Sequence, residues 1–300
     1  MNRNIFFVVA ISSLITFQSY SQIDSLKNNI EKLIENKDAA VGVSIHGIES
    51  NETLTINNLK HFPMQSVFKF HIALAVLDQV DKGKIKLDDK ILISKKELLP
   101  DTWSPIREKY PEGNVKLSLA EIIEYTVAIS DNNGCDILLR LIGGPEIVEK
   151  HIHKLGINQI SIKYNEEAMN KSWSAQFSNW TTPKASTDLL IKFFSDSVLS
   201  KSSFVFLYNT MVNTSTGKNR IKGQLPKGTI VAHKTGSSGT NESGVTAAVN
   251  DIGIVTLPNG DHFAISIFVT DSKENDEMNE KIISDISKLA WDYFANKIPR

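Results

Sequence analysis

The sequence predicts an α/β part joined to an all-α part, with one sheet assembled from both chain ends and a helical segment inserted between them. Two observations predict it. Runs rich in β-branched residues occur early, at 41–46 and 53–56, and again late, at 229–233, 246–257 and 263–269. The stretch between them carries apolar spacing of helical period. Two early strands alone make no stable sheet, so they must pair with the late ones.

In chain order, residues 23–36 place Leu26, Ile30, Leu33 and Ile34 on one helical face. A strongly apolar helix is expected at 66–80, and further helices at 119–129, 137–142, 145–155 and 187–194. Pro258-Asn259-Gly260 supplies a turn between the last two strands. A final helix is expected from about residue 277 to 295.

The chain has 300 residues, 41% hydrophobic and 22% charged, enough to bury a full-sized core. A net charge of −1 offers no basic excess for nucleic acid or an anionic membrane, so any anion recognition must be local. Arg3, an apolar run at 5–17 and Ser19-Tyr20-Ser21 read as a secretory signal, 1–21, cut before Gln22. That predicts a periplasmic protein without stable membrane insertion after cleavage. The alternative, a membrane anchor, needs a run of about 20 apolar residues. The single cysteine, Cys135, forbids an internal disulfide and falls in an apolar helical pattern, which predicts a buried, inert thiol. No heptad repeat or sticky stripe calls for self-association, so a monomer is expected.

Three short strings carry chemistry. In Ser66-Val67-Phe68-Lys69 a helix would place serine and lysine on one face, where the amine can take the hydroxyl proton. The same spacing recurs at Ser215-Thr216-Gly217-Lys218, and a serine at a helix start is equally an N-cap. Ser130-Asp131-Asn132 precedes Asn133-Gly134 at an expected helix break. The serine there can shuttle a proton and the asparagine can bind an amide, although a capping turn uses the same residues. Lys234-Thr235-Gly236 falls at an expected strand end, where lysine and hydroxyl suit a carboxylate and glycine lets a substrate approach the backbone.

With these three strings in this order, the chain resembles the class A serine β-lactamases of the penicillin-recognising superfamily. The resemblance implies an antiparallel five-stranded sheet flanked by N- and C-terminal helices, with an α/β domain at 22–60 and 216–300 and a helical domain at 61–215. It implies β-lactam hydrolysis, with water as co-reactant, through an acyl-enzyme on Ser66. Its proton would go to Lys69, or to Glu166 through a water. Glu166-Glu167-Ala168-Met169-Asn170 matches the family's deacylating glutamate and the asparagine four residues on. Ser130 would protonate the leaving nitrogen, and Asn132 would hold the substrate amide. The backbone N–H groups of Ser66 and Ser237 would bind the carbonyl oxygen. A penicillin-binding peptidase or a β-lactam sensor shares the strings but lacks the deacylating pair.

The segments 102–106, 130–136 and 222–226 are similar to the VEB-, PER- and CfxA-like extended-spectrum branch, which implies that Arg220 joins Lys234, Thr235 and Gly236 at the substrate carboxylate. Trp103 would be an aromatic wall at the entrance or a core residue. The family's arginine–aspartate pin across the glutamate loop is replaced by Lys163 or Tyr164 and Asn179, so packing of Trp173 and Trp180 is expected to hold the loop. No cofactor is implied. His151 and His153 lack a third ligand at zinc spacing, so no metal is expected.

Overall fold

The computed structural model describes residues 23–195 and 198–297; the expected signal segment, 1–21, lies outside the described residues. The chain opens with α1 (residues 23–34), β1 (Ala40–Gly47), β2 (Thr53–Ile56) and β3 (Phe62–Pro63). The helical part contains α2 (Phe68–Asp81), α3 (Pro105–Lys109), α4 (Leu119–Ala128), α5 (Asn132–Ile142), α6 (Pro145–Lys154), α7 (Glu166–Met169), α8 (Pro183–Ser195) and α9 (Lys201–Val212). Short strands β4 (Lys90–Ile93), β5 (Val115–Ser118), β6 (Ile160–Ser161) and β7 (Trp180–Thr181) lie among them. The chain then returns through β8 (Val231–Ser237), β9 (Val249–Thr256), β10 (His262–Thr270) and α10 (Asp276–Ala295).

The sheet order is β2-β1-β10-β9-β8, with every neighbouring pair antiparallel. The first two strands therefore pair with the last three across the helical insertion, as their inability to stand alone requires. Strand β10 shows how the sheet sorts its neighbours. Phe263, Ile265, Ile267 and Val269 join a core with α1 and α10, while Ala264 and Phe268 join the helical core. A strand covered on both faces reads as a continuous apolar run. The turn between β9 and β10 forms at Pro258-Asn259-Gly260, with Gly260 at φ +89°.

Helix α2 is the central one: every residue from Phe68 to Leu77 is buried. It starts later than expected. Gln65–Val67 forms a 3₁₀ turn that leads into it, and Gln65 takes φ +47°. No serine side chain caps either element, so the capping alternative for Ser66 is not made. The expected break at Ser130-Asp131-Asn132 is present, but it is shorter than Asn133-Gly134 suggests. The chain breaks at Ser130, with φ +63°, and α5 runs straight through Asn133 and Gly134. Asp131 caps α5 by accepting from the Gly134 N–H at 2.7 Å. Glycine is required at 134 because a Cβ would meet Thr126 Oγ1 at 2.8 Å. Likewise β8 does not stop at His233. Pairing with β9 continues to Ser237↔Val249, which places Lys234, Thr235 and Gly236 inside the strand.

The loop bearing Glu166 is held by amides and not by the tryptophans. Trp173 is half exposed and packs edge-on to Phe177, while Trp180 stacks on His61 at 3.5 Å. The neck is closed by Asn179, which is fully buried. Its Oδ1 accepts from the N–H groups of Lys163 (2.8 Å) and Tyr164 (3.0 Å). Its Nδ2 donates to the Tyr164 carbonyl at 2.8 Å and to Met169 Sδ at 3.2 Å. A carboxamide both donates and accepts, so it ties two strands of loop without burying a charge. The Asp136 carboxylate is the second anchor. It accepts from Glu166 N (2.8 Å), Glu167 N (3.0 Å) and Asn165 Nδ2 (3.0 Å), and burial pushes its pKa up to about 6.

Asn179→Ala removes the neck bonds and leaves backbone groups of Lys163 and Tyr164 without partners. The expected loss is about 1–3 kcal/mol in urea unfolding, with new proteolytic cleavage between 163 and 179. A loss below about 0.5 kcal/mol with unchanged proteolysis would contradict this account of the neck.

Candidate active site

Two lysines, both fully buried, organise the site. Lys69 sits one helical turn after Ser66, and its Nζ donates to Ser66 Oγ at 3.0 Å. The same Nζ donates to the Ser130 carbonyl at 2.9 Å and to Asn132 Oδ1, and it pairs with Glu166 Oε1 at 2.8 Å. An ammonium ion removed from water must replace its hydration with partners of this kind. Here those partners come from the 3₁₀ turn before α2, the Ser130 break, α5 and α7. Glu166 is only 6% exposed, whereas Glu167 is exposed and lies 3.8 Å from Lys171, so the two adjacent glutamates have separate environments.

Lys234 projects from β8 toward the same break. Its Nζ donates to Ser130 Oγ at 3.0 Å and to the Thr235 carbonyl at 2.9 Å. Burial, followed by the positive charge of Lys69, holds its amine well below the usual lysine range. Ser130 thus bridges the lysines, giving its carbonyl to one and its hydroxyl to the other. The left-handed conformation at Ser130 accompanies this double engagement.

Arg220 is buried too. Its Nη1 donates to the carbonyls of Gly236 (3.0 Å) and Asn250 (2.9 Å), and its Nη2 donates to Ser237 Oγ (2.7 Å). Its Nε pairs with Glu280 of α10 at 3.1 Å. Thr235 Oγ1 lies 2.6 Å from Thr216 Oγ1. Lys234, Thr235, Gly236, Ser237 and Arg220 therefore converge at one end of β8. At Gly236 a Cβ would meet the Met64 carbonyl at 2.5 Å, so the missing side chain makes room for the turn before Ser66.

Asn132 Nδ2 donates to Thr102 Oγ1 at 2.6 Å, and the Asn132 N–H donates to the Trp103 carbonyl at 3.0 Å. Trp103 is 53% exposed and its Nε1 donates to the Ile129 carbonyl at 2.9 Å, which excludes a core position. Asn170 is exposed at the end of α7, one turn after Glu166, and its N–H donates to the Glu166 carbonyl at 3.1 Å. The second Ser-x-x-Lys string is not built into a site: Ser215 and Lys218 are exposed. His151 lies 3.7 Å from Asp78, and His153 contacts the Ile160 carbonyl. Among the described residues no group of three or more His, Cys, Asp or Glu could hold a metal ion. Burial pushes the Cys135 thiol up, which keeps it un-ionised.

Sequence reasoning named Asn179 but missed the tie its amide makes, and it missed Asp136 at the loop, Glu280 on Arg220, and a fully buried pair between His233 Nδ1 and Asp251 at 3.0 Å. Asp251 also accepts from the Ile221 N–H at 3.2 Å, beside Arg220. The register of β8 on β9 brings these residues together, and no local motif signals it.

Chemically, the arrangement offers a serine hydroxyl beside a lysine–carboxylate pair, a second hydroxyl able to relay a proton, and a cationic end for an anionic substrate. Residues 25–294 match the model of the β-lactamase enzyme family. Among curated proteins, the chain is 52% identical to β-lactamase VEB-1 of Pseudomonas aeruginosa over 281 residues, covering 93% of each. It is 39% identical to the extended-spectrum β-lactamase PER-1 of the same organism over 303 residues, covering 99% of this chain and 98% of that one. Among solved structures, the TLA-3 extended-spectrum β-lactamase superposes with a TM-score of 0.90 at 57% identity, covering 91% of this chain and 99% of that one. The chain belongs to the β-lactamase enzyme family, in its class A serine branch.

Proposed function

We propose that this chain hydrolyses the β-lactam amide bond in two stages, with Ser66 as nucleophile and Glu166 as the base that turns the acyl-enzyme over. The observation that carries the reading is the single buried Nζ of Lys69, in contact with Ser66 Oγ, the Ser130 carbonyl and Glu166 at once. The substrate carboxylate docks on Lys234, Thr235 and Arg220, beside Gly236. The lactam carbonyl enters an oxyanion hole formed by the N–H groups of Ser66 and Ser237. A proton moves from Lys69 to Glu166 across their 2.8 Å contact, and the freed amine takes the Ser66 proton as Oγ bonds to the carbonyl carbon. Ser130 then delivers its hydroxyl proton to the departing nitrogen as the ring C–N bond breaks; the Lys69 ammonium reprotonates Ser130 and takes back the proton held by Glu166, which is a carboxylate again. Asn132 and Trp103 orient the substrate side chain.

Glu166, with Asn170, next removes a proton from a water whose oxygen attacks the ester carbonyl, and that proton passes through Lys69 to Ser66 Oγ as the ester C–O bond breaks. The deacylating pair separates this reading from a penicillin-binding peptidase or a sensor, which would stop at the ester. The hydroxyls of Ser237 and Ser238 suit cephalosporins as well as penicillins, and such activity would confer resistance. The segment 1–21 supports export to the periplasm. Among the described residues no helix is long and apolar enough to cross a membrane. The reading includes a monomer without cofactor, and an α/β domain at 22–60 and 216–300 carrying the helical domain 61–215.

The mature chain is expected to turn over nitrocefin many times, and Ser66→Ala to lower kcat/KM at least about 10³-fold. Glu166→Ala should accumulate a covalent adduct visible as added mass. Parental turnover by Ser66→Ala, or a parent that stops after one equivalent, would overturn the reading. A pH series tests Lys234 separately. Its lowered pKa means that the charge is lost at lower pH than in a free lysine, so KM for an anionic penicillin should rise on the alkaline side. Lys234→Arg, which keeps its charge, should move that rise to higher pH; an unmoved alkaline limb would contradict the assignment.

A further inference from the structure

Gln65 precedes the nucleophile in a left-handed conformation that a non-glycine residue holds only when its surroundings enforce it. Several contacts enforce it. Gln65 Nε2 donates to Gln176 Oε1 at 2.5 Å, and the Met64 N–H donates to the Asn179 carbonyl at 2.8 Å. Both come from the Glu166 loop. From the sheet side comes Asn250, fully buried near the start of β9. Its Nδ2 donates to the Pro63 carbonyl at 2.8 Å and to the Met64 carbonyl at 3.2 Å. Its own backbone carbonyl accepts from Arg220 Nη1 at 2.9 Å. Asn250 is the cross-strand partner of Gly236, whose missing Cβ is the space into which the Met64 carbonyl fits. A buried carboxamide is thus placed between the arginine of the carboxylate end and the two carbonyls before the nucleophile.

We infer that Asn250 is a positioning residue for the oxyanion hole: by holding the Pro63 and Met64 carbonyls it sets the direction of the Ser66 N–H relative to the Ser237 N–H on β8. The inference rests on the acyl-enzyme reading above and adds a residue to it. The orientation of the amide is chemically fixed, because reversing it would aim an oxygen at two carbonyl oxygens. Aspartate has nearly the same shape but can only accept when ionised, and leucine keeps the volume without a donor. A role in filling space would tolerate both; a donor role tolerates neither. The effect must reach both stages of catalysis, since the oxyanion hole serves acylation and deacylation alike.

The experiment compares Asn250→Asp and Asn250→Leu with the parent, each also in a Glu166→Ala background that holds the acyl-enzyme for infrared spectroscopy. For whichever variant folds, kcat/KM for nitrocefin should fall about tenfold or more, a fraction of the ~10²–10³-fold seen when an oxyanion donor is removed outright. The acyl carbonyl band should move to higher frequency, as a carbonyl does when it loses hydrogen bonds, and a residue that only fills space would not move it. In the parent sequence carrying Glu166→Ala alone, the side-chain amide resonances of Asn250 should shift on acylation, a measurement independent of any Asn250 variant. A parental carbonyl band and kcat/KM within about threefold, or a change confined to the melting temperature, would overturn the inference, as would amide resonances that ignore acylation. Failure of Glu166→Ala to form any adduct would strike the acyl-enzyme reading instead, so the two failures are told apart.

Discussion

The buried ammonium of Lys69 is the constraint from which the rest of the site follows. A charge with no access to water needs a counter-charge and enough acceptors, and no single element of the fold supplies them. The 3₁₀ turn that leads into the helix carrying Lys69 contributes Ser66. The counter-charge comes from α7 as Glu166, a carbonyl from the break at Ser130, and an amide oxygen from Asn132 at the start of α5. Four separate segments are therefore fixed around the Ser66 hydroxyl. The break at Ser130 cannot be a smooth helix continuation, because its carbonyl and hydroxyl must face two different lysines.

The sheet supplies the second half of the arrangement. Strand β8 carries Lys234 to Ser130 from one side and, with Arg220, collects positive charge at its end. Arg220 is itself held by Glu280 of α10, so the C-terminal helix, remote in sequence from every motif, shapes this end of the site. Gly236 and Asn250 let the strand pair press against the turn before Ser66. The sheet and the helical part thus meet at Ser66, and packing between them is part of the site's geometry.

Much of this was legible in the sequence because it is local. The spacing of Ser66 and Lys69, the Ser130-Asp131-Asn132 string, Lys234-Thr235-Gly236 and the distance to Glu166 all survive as linear patterns, and the strand-rich chain ends identify a shared sheet. What was not legible depends on register or on backbone angles. The continuation of β8 through Lys234 follows from pairing with β9, which periodicity does not reveal. Gly134 looks like a helix breaker until Thr126 is seen against it. Helix α9 escaped notice because Phe204-Val205-Phe206-Leu207 has no clear polar face. At the loop neck the loss of the ion pair could be read from Asn179, but not what replaces it, since only the structure shows one amide meeting both sides of the loop.

The most direct test of this dependence is a double-mutant cycle on stability, using Lys69→Met, Glu166→Gln and the pair together, each followed by urea unfolding. Lys69→Met leaves the Glu166 carboxylate buried without its partner, and Glu166→Gln leaves the ammonium without its counter-charge, so each single change should cost more than it does in the presence of the other. The account predicts that the double variant is more stable than the sum of the singles by about 1 kcal/mol or more. Additivity within about 0.5 kcal/mol would mean that the two side chains are not one electrostatic unit, and would contradict the central role given to Lys69.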